Sequence, residues 1–105
     1  MITLRTKATG AKFSYERTPD DRIRIKYGAN RKITIAAEDY ERLIETFRGQ
    51  TVPLGTSRDN PPSGSVGKWL QQNVTKTAIA SYIGPILVYE GQAVWIDDFT
   101  MRFLD

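Results

Sequence analysis

GSVGKWLQQNVTKTAIASYIGPILVYEGQAV, residues 64–94, carries two helical periods separated by a short polar connection. Ser65 is placed to cap a helix running to about Asn73, with Val66, Trp69 and Leu70 on its inner side and Lys68, Gln71 and Gln72 outside. Val74-Thr-Lys-Thr77 reads as a tight connection, after which Thr75 or Thr77 caps a second helix. There Ile79, Tyr82, Ile83, Ile86 and Leu87 recur at i, i+3, i+4, i+7 and i+8, and Gly91 ends the pattern. Pro85 lies inside it and is expected to kink or divide the helix, because it lacks the amide that would bond four residues back. Beyond it, Ala93 to Ile96, the Asp97-Asp98 turn and Thr100 to Leu104 read as a terminal hairpin.

Upstream, Tyr40, Leu43, Ile44 and Phe47 share one helical face, while Glu38, Asp39, Glu41, Arg42 and Glu45 take the other. Acids in the first turn complement the helix dipole, and Gly49 supplies the stop. Gln50 to Ser63 contains Pro53, Gly55, Pro61 and Pro62 and reads as a loop over 50–63, long enough to be either functional or mobile. Further upstream, Phe13 to Glu16 and Arg22 to Tyr27 alternate with period two around a Thr-Pro-Asp-Asp turn, predicting a β-hairpin. Its second strand sends Ile23, Ile25 and Tyr27 to one face and Arg22, Arg24 and Lys26 to the other. Gly28 to Asn30 reverses the chain into a short alternation at Ile33 and Ile35.

A chain of 105 residues, 40% apolar and 26% charged, suits one packed domain, with residues 1–35 as a basic β-hairpin region and 36–105 as a mostly helical region. The absence of Cys and His removes disulfide frameworks, zinc fingers and imidazole- or thiol-based catalysis. Neither a signal peptide nor a membrane-spanning stretch is read from the sequence, so a cytoplasmic protein without a membrane partner is expected. The net charge of +3 is modest but unevenly spread. Residues 1–36 hold nine Lys or Arg against three acids, whereas the remainder carries six against nine, so a cationic surface can form at one end of the domain.

Signals for catalysis are weak. Ser63 to Trp69 has the outline of a phosphate-binding loop, but Pro62 and Trp69 stand where Gly and Ser or Thr are needed. Pro19-Asp20 opens like a metal-dependent nuclease motif, yet no acid-x-Lys triplet follows it. Adjacent acids at Asp97-Asp98 and Glu38-Asp39 suit a solvated turn and a helix start better than a metal site. No enzyme, metal or cofactor is therefore expected. Tyr15 and Tyr27 flank the basic row and are candidates for stacking on nucleobases.

The order of helix, long loop, helix, tight connection, helix and hairpin resembles a winged-helix DNA-binding domain over about residues 35–104. With the N-terminal hairpin, this gives an α+β fold: a β-hairpin joined to a winged-helix-like three-helix unit with a C-terminal β-hairpin. The resemblance implies a recognition helix starting near Thr77, with Thr75, Lys76, Thr77, Ala80 and Ser81 on its solvent face. Lys68 would then reach the DNA backbone, and Gln71, Gln72, Thr77 and Ser81 would supply base discrimination. Two features depart from it: Asp97 and Asp98 make the wing tip acidic, and Lys76 is the one cation near the recognition helix. Phosphate neutralisation accordingly falls to Arg22, Arg24 and Lys26, with Arg31 and Lys32, together with Lys68 and Lys76.

The expected function is non-catalytic binding of double-stranded DNA, as in a small transcription regulator. The alternative is a protein-interaction or assembly module, since winged helices also serve that role. Its partner would be another protein or a second copy in a homodimer, reached through Glu38, Glu41 and Glu45, the wing acids or the Pro-rich loop. One spatial criterion separates the two: whether the basic hairpin row and Lys76 share a face uninterrupted by acids.

Overall fold

Period-two alternation in the first 35 residues yields four strands, and a computed structural model describes all residues, 1–105. Strands β1 (Ile2–Arg5), β2 (Lys12–Arg17), β3 (Ile23–Tyr27) and β4 (Arg31–Ile35) form an antiparallel meander in the order β1-β2-β3-β4. The expected hairpin is thus the centre of a larger sheet. Strand β1 escaped notice because only Ile2 and Leu4 alternate there, on a segment too short to show a period. Register sets Ser14 opposite Lys26 and Lys26 opposite Lys32, and likewise Tyr15 opposite Ile25 and Ile25 opposite Ile33. Phe13, Tyr15, Ile23, Ile25 and Ile35 are buried on the inner face, which leaves Lys26 and Lys32 side by side on the outer one.

The helical face read from the sequence is buried in α1 (Ala37–Phe47) through Tyr40, Leu43, Ile44 and Phe47. Next comes an unexpected short strand, β5 (Thr51–Pro53), inside the segment read as a continuous loop. It escaped detection because the three residues include a Pro and only Val52 is buried. Helices α2 (Val66–Asn73) and α3 (Ala80–Tyr89) follow, then strands β6 (Ala93–Trp95) and β7 (Thr100–Phe103). The second sheet has the order β5-β7-β6, so β5 joins the far side of the terminal hairpin. The architecture is α+β, with three helices and two antiparallel sheets. No helix is long and apolar enough to cross a membrane.

Three local expectations are corrected. Helix α3 begins at Ala80, with Ile79 in the cap position and no side chain capping it, so the connection from α2 spans 74–79 and not four residues. The Thr75 hydroxyl instead accepts the Thr77 amide at 3.2 Å, closing a local turn that competes with helix initiation. Pro85 does not divide α3, which runs unbroken through it. The bond it forgoes is the one to Ser81, in the first turn, so the rest of the ladder is unaffected and the ring is buried in the core.

Helix α3 lies between the sheets. Phe13 packs edge-on against Tyr82 with centroids 5.1 Å apart, and Tyr15 against Tyr89 at 6.2 Å. On the other side, Gly84 approaches Leu54 and Trp95 so closely that a Cβ would come within 2.9 Å of the Trp95 ring. Ile83, Ile86 and Leu87 are completely buried.

An ion-pair cluster ties the first sheet to the end of α3. Arg17 donates to Glu90 from Nη2 at 2.9 Å and from Nε at 3.2 Å, and the Tyr15 hydroxyl donates to Glu90 Oε2 at 3.0 Å. Burial pushes the Glu90 carboxyl up, but the hydrogen bonds from Arg17 and Tyr15 outweigh it and hold the group below its ordinary value of 4.5. Burial first, then the bond to Glu90, pushes the Tyr15 phenol well above its ordinary range. A carboxylate held low contributes stability that is complete above 4.5 and disappears as pH falls through its folded value. Glu90→Gln is therefore expected to lower stability at pH 7 and to flatten its decline between pH 5 and 3, as read by urea unfolding at each pH.

Candidate nucleic-acid interface

Which cations are free is decided by local pairing. Arg22 bonds Asp20 at 2.8 Å, two residues away, and Arg24 bonds Glu16 at 3.1 Å across the β2–β3 ladder. Arg17 and Arg42 are paired with Glu90 and Asp39 at 2.9 and 3.1 Å, and Arg48 with Glu45. Two of the three residues in the hairpin row, Arg22 and Arg24, are thus compensated from within the fold, whereas Lys26 is not.

Lys26 belongs to a different grouping. On the outer face of the first sheet, Lys12, Lys26, Arg31 and Lys32 line an open depression of about 530 Å³, together with Thr3, Ser14, Tyr27 and Asn30. No carboxylate lines it. The pleat brings these cations together: Lys26 and Lys32 are cross-strand partners, Lys12 sits on the same face one step along β2, and Arg31 stands at the β3–β4 turn. The turn forms at Gly28, whose φ of 60° is one that a side chain disfavours.

A second cationic depression, about 340 Å³, is lined by Arg58, Lys68, Gln71, Gln72 and Lys76, again without an acid. Spacings of i, i+3 and i+4 put Lys68, Gln71 and Gln72 on one face of α2, and the turn after the helix brings Lys76 beside them. The Ser65 hydroxyl accepts the Lys68 amide at 3.1 Å and fixes the helix start, as its sequence position predicts. Arg58 comes from the segment read as a loop, and α2 holds that segment in place. Gln71 Nε2 donates to the Arg58 carbonyl at 2.9 Å, Lys68 Nζ to Asn60 Oδ1 at 3.3 Å, and the Gly67 amide to the Leu54 carbonyl at 2.8 Å. Gly67 is required there, because a Cβ would overlap the Gly55 backbone.

On the inner side of the first sheet, Tyr27, a residue that also borders the first depression, lies 4.8 Å from Tyr82 with ring planes inclined by 32°. Burial and the Tyr27 phenol raise the Tyr82 hydroxyl above its ordinary range, while Arg58 and Arg31 both pull it down. Arg31 from one depression and Arg58 from the other are thus within electrostatic reach of the same phenol.

Neither a family model, nor a curated protein, nor a solved structure gives a significant match to this chain.

Of the residues singled out in the sequence, Lys68, Gln71, Gln72 and Lys76 come together in one depression and Lys26 lines the other. Thr75 and Thr77 line neither. Ser81 instead borders a small depression of about 70 Å³ with Thr6, Lys7, Leu54, Asp98 and Phe99. Tyr15 is buried and bonded to Glu90, which removes it as a stacking candidate, whereas Tyr27 keeps partial exposure. Lys12 went unremarked although the alternation Lys12-Phe13-Ser14-Tyr15 already sets it opposite the buried rings. Arg58 had no signal, since its position depends on a tethered loop. No group of three or more acids is arranged to hold a metal ion.

Proposed function

We propose that this protein is a non-catalytic DNA-binding domain that grips the phosphate backbone. The reading rests on one observation: seven cations, Lys12, Lys26, Arg31, Lys32, Arg58, Lys68 and Lys76, none in an ion pair, line two depressions that hold no carboxylate. Such a surface neutralises phosphates and releases condensed counterions, the main source of sequence-independent affinity. Neither depression is lined by an acid, and that favours DNA over an assembly role. The molecule measures 31 Å along its longest axis, about nine base pairs at ~3.4 Å each.

The succession α1-β5-α2-α3-β6-β7, with the sheet order β5-β7-β6, supports the winged-helix resemblance of residues 36–105. The mode of contact we propose is nevertheless different. In the usual docking, the helix in the position of α3 enters the major groove. Here the first sheet packs over that helix through Phe13 and Tyr15, so contact passes to the outer face of that sheet and to α2. Gln72 on α2 is then the side chain free to read base edges, with Gln71 beside it tied to the Arg58 carbonyl.

Lys68→Ala and Lys76→Ala are each expected to weaken binding to a fluorescein-labelled duplex about three- to tenfold at 50 mM salt, leaving urea unfolding unchanged. Arg22→Ala and Arg24→Ala, which remove cations already paired, should stay within twofold of wild type. Equal losses across all four variants would reject this placement of the surface.

A second reading draws on the β6–β7 tip, where Ile96 and Phe99 are 54% and 61% exposed beside Asp97 and Asp98. An apolar and acidic tip repels phosphates and suits a protein contact, so an assembly role is carried by this end of the domain. Ile96→Ser with Phe99→Ser would then lower the mass measured by sedimentation while leaving DNA affinity unaltered.

A further inference from the structure

We infer that the surface of α2 takes a single strand of nucleic acid, with its phosphates on Arg58, Lys68 and Lys76 and one unpaired base against the indole of Trp69. The inference rests on the proposed DNA-binding reading and specifies its substrate class. It starts from a further depression, of about 490 Å³, bounded by Thr46 and Phe47 of α1 and by Ser63 to Ser65 ahead of α2, with Trp69 in its lining. Lys68 and Gln72 line it as well, and both also line the cationic depression of Arg58 and Lys76. The two are therefore neighbouring compartments of one surface, divided by two side chains a single helical turn apart. Neither is lined by a carboxylate.

The compartments differ in character. Arg58, Lys68 and Lys76 make one cationic, whereas Phe47 and Trp69 give the other an aromatic wall. Trp69 stands beside the buried face of α2, formed by Val66, Gly67 and Leu70, so its indole is only partly covered. Helix α1 fixes that indole. The Arg42 guanidinium lies over the ring at 5.6 Å from its centroid, and Arg42 Nη2 donates to Asn73 Oδ1 at 3.5 Å, one turn after Trp69. The depression lies the other way along the helix, toward Ser65, one turn before Trp69. Arg42 and the depression thus approach the indole from opposite directions, and the face that Arg42 leaves open is the one a base can cover. A ring already held by its neighbours loses little freedom when a base settles on it. The volume is ample for a nucleobase, and Gln72 stands between the two compartments with an amide that can meet the base edge. A duplex keeps its base faces stacked inside the helix and can offer this surface only phosphates and groove edges. A single strand offers phosphates and ring faces together.

The test compares three labelled ligands on the wild-type protein by fluorescence anisotropy at 100 mM salt: a ten-nucleotide oligothymidylate, an abasic sugar-phosphate strand of equal length, and a ten-base-pair duplex. The oligothymidylate is expected to bind about tenfold more tightly than the abasic strand, and more tightly than the duplex. Unlabelled oligothymidylate should also quench the indole emission of a Trp95→Phe protein, in which Trp69 is the one remaining tryptophan, and the abasic strand should not. Trp69→Leu should erase the difference between base-bearing and abasic strands, whereas Trp69→Phe should keep it. Equal, salt-sensitive binding of the first two ligands, or a duplex bound as tightly as the oligothymidylate, would overturn the inference while leaving the cationic surface in place. Binding of none of the three would overturn the DNA-binding reading on which the inference stands. The wild-type comparison needs no variant, so a substituted protein that fails to fold does not remove the test.

Discussion

Replacing Lys26, Lys32 and Lys76 together by Ala is expected to lower DNA affinity roughly 100-fold at 50 mM salt and to flatten the dependence of log K on log salt by about three units. These residues come from both depressions and make no ion pair, so their removal strands no buried partner. All three are exposed, and unfolding free energy should stay within about 0.5 kcal/mol for each substitution. Loss of affinity with retained stability distinguishes a binding surface from a solvated face that merely keeps the sheet edge in solution. Titrations at several salt concentrations, alongside urea unfolding of the same preparations, supply both quantities. A variant that kept its salt dependence would place the phosphate contacts elsewhere.

Gly67→Ala has the second large effect, this time on stability and binding together. The methyl group would overlap the Gly55 backbone at the point where the Gly67 amide donates to the Leu54 carbonyl. Because backbone presses on backbone, no rotamer change relieves the clash. Either α2 or the 54–65 segment must move. A cost of about 3 kcal/mol is expected for such overpacking, a large share of the stability of a small domain. Movement of the segment would also carry Arg58 away from Lys68 and Lys76, so the folded fraction should bind DNA about tenfold more weakly. Thermal unfolding and anisotropy, the latter at a temperature where the variant is folded, separate these consequences. An unchanged melting temperature would mean that the close approach of Gly55 and Gly67 is not part of the fold.

How far the sequence discloses the molecule depends on whether periodicity or tertiary contact decides each element. Where an apolar face repeats, the reading succeeds: Tyr40, Leu43, Ile44 and Phe47 are buried on α1, and Ile23 and Ile25 on β3. The Ser65 cap and the terminal hairpin follow from residue chemistry that acts locally. Strands β1 and β5 gave no such signal, being four and three residues long and defined by the partners they pair with. The start of α3 is displaced because the Thr75 hydroxyl accepts the Thr77 amide before any helix begins.

The candidate site shows the same division. Lys68, Gln71, Gln72 and Lys76 are near neighbours in sequence, and helical spacing suffices to bring them together. Arg22 and Arg24 looked like the strongest part of the basic row, yet which cations are already paired depends on cross-strand register and turn geometry. Lys12 and Arg58 join the surface through sheet pairing and a tethered loop. The sequence-level picture of α3 as a groove-entering helix omitted the first sheet that packs over it, since nothing in the amphipathic pattern of 77–91 tells which element will bury it.

Of all these expectations, the salt dependence of wild-type affinity bears most directly on the central claim that unpaired cations of the sheet and of α2 grip a phosphate backbone. With five to seven of the seven cations engaged, log K should fall against log salt with a slope of about −4.5 to −6.3 on duplex DNA. No binding at 50 mM salt, or an affinity indifferent to salt, would contradict the account.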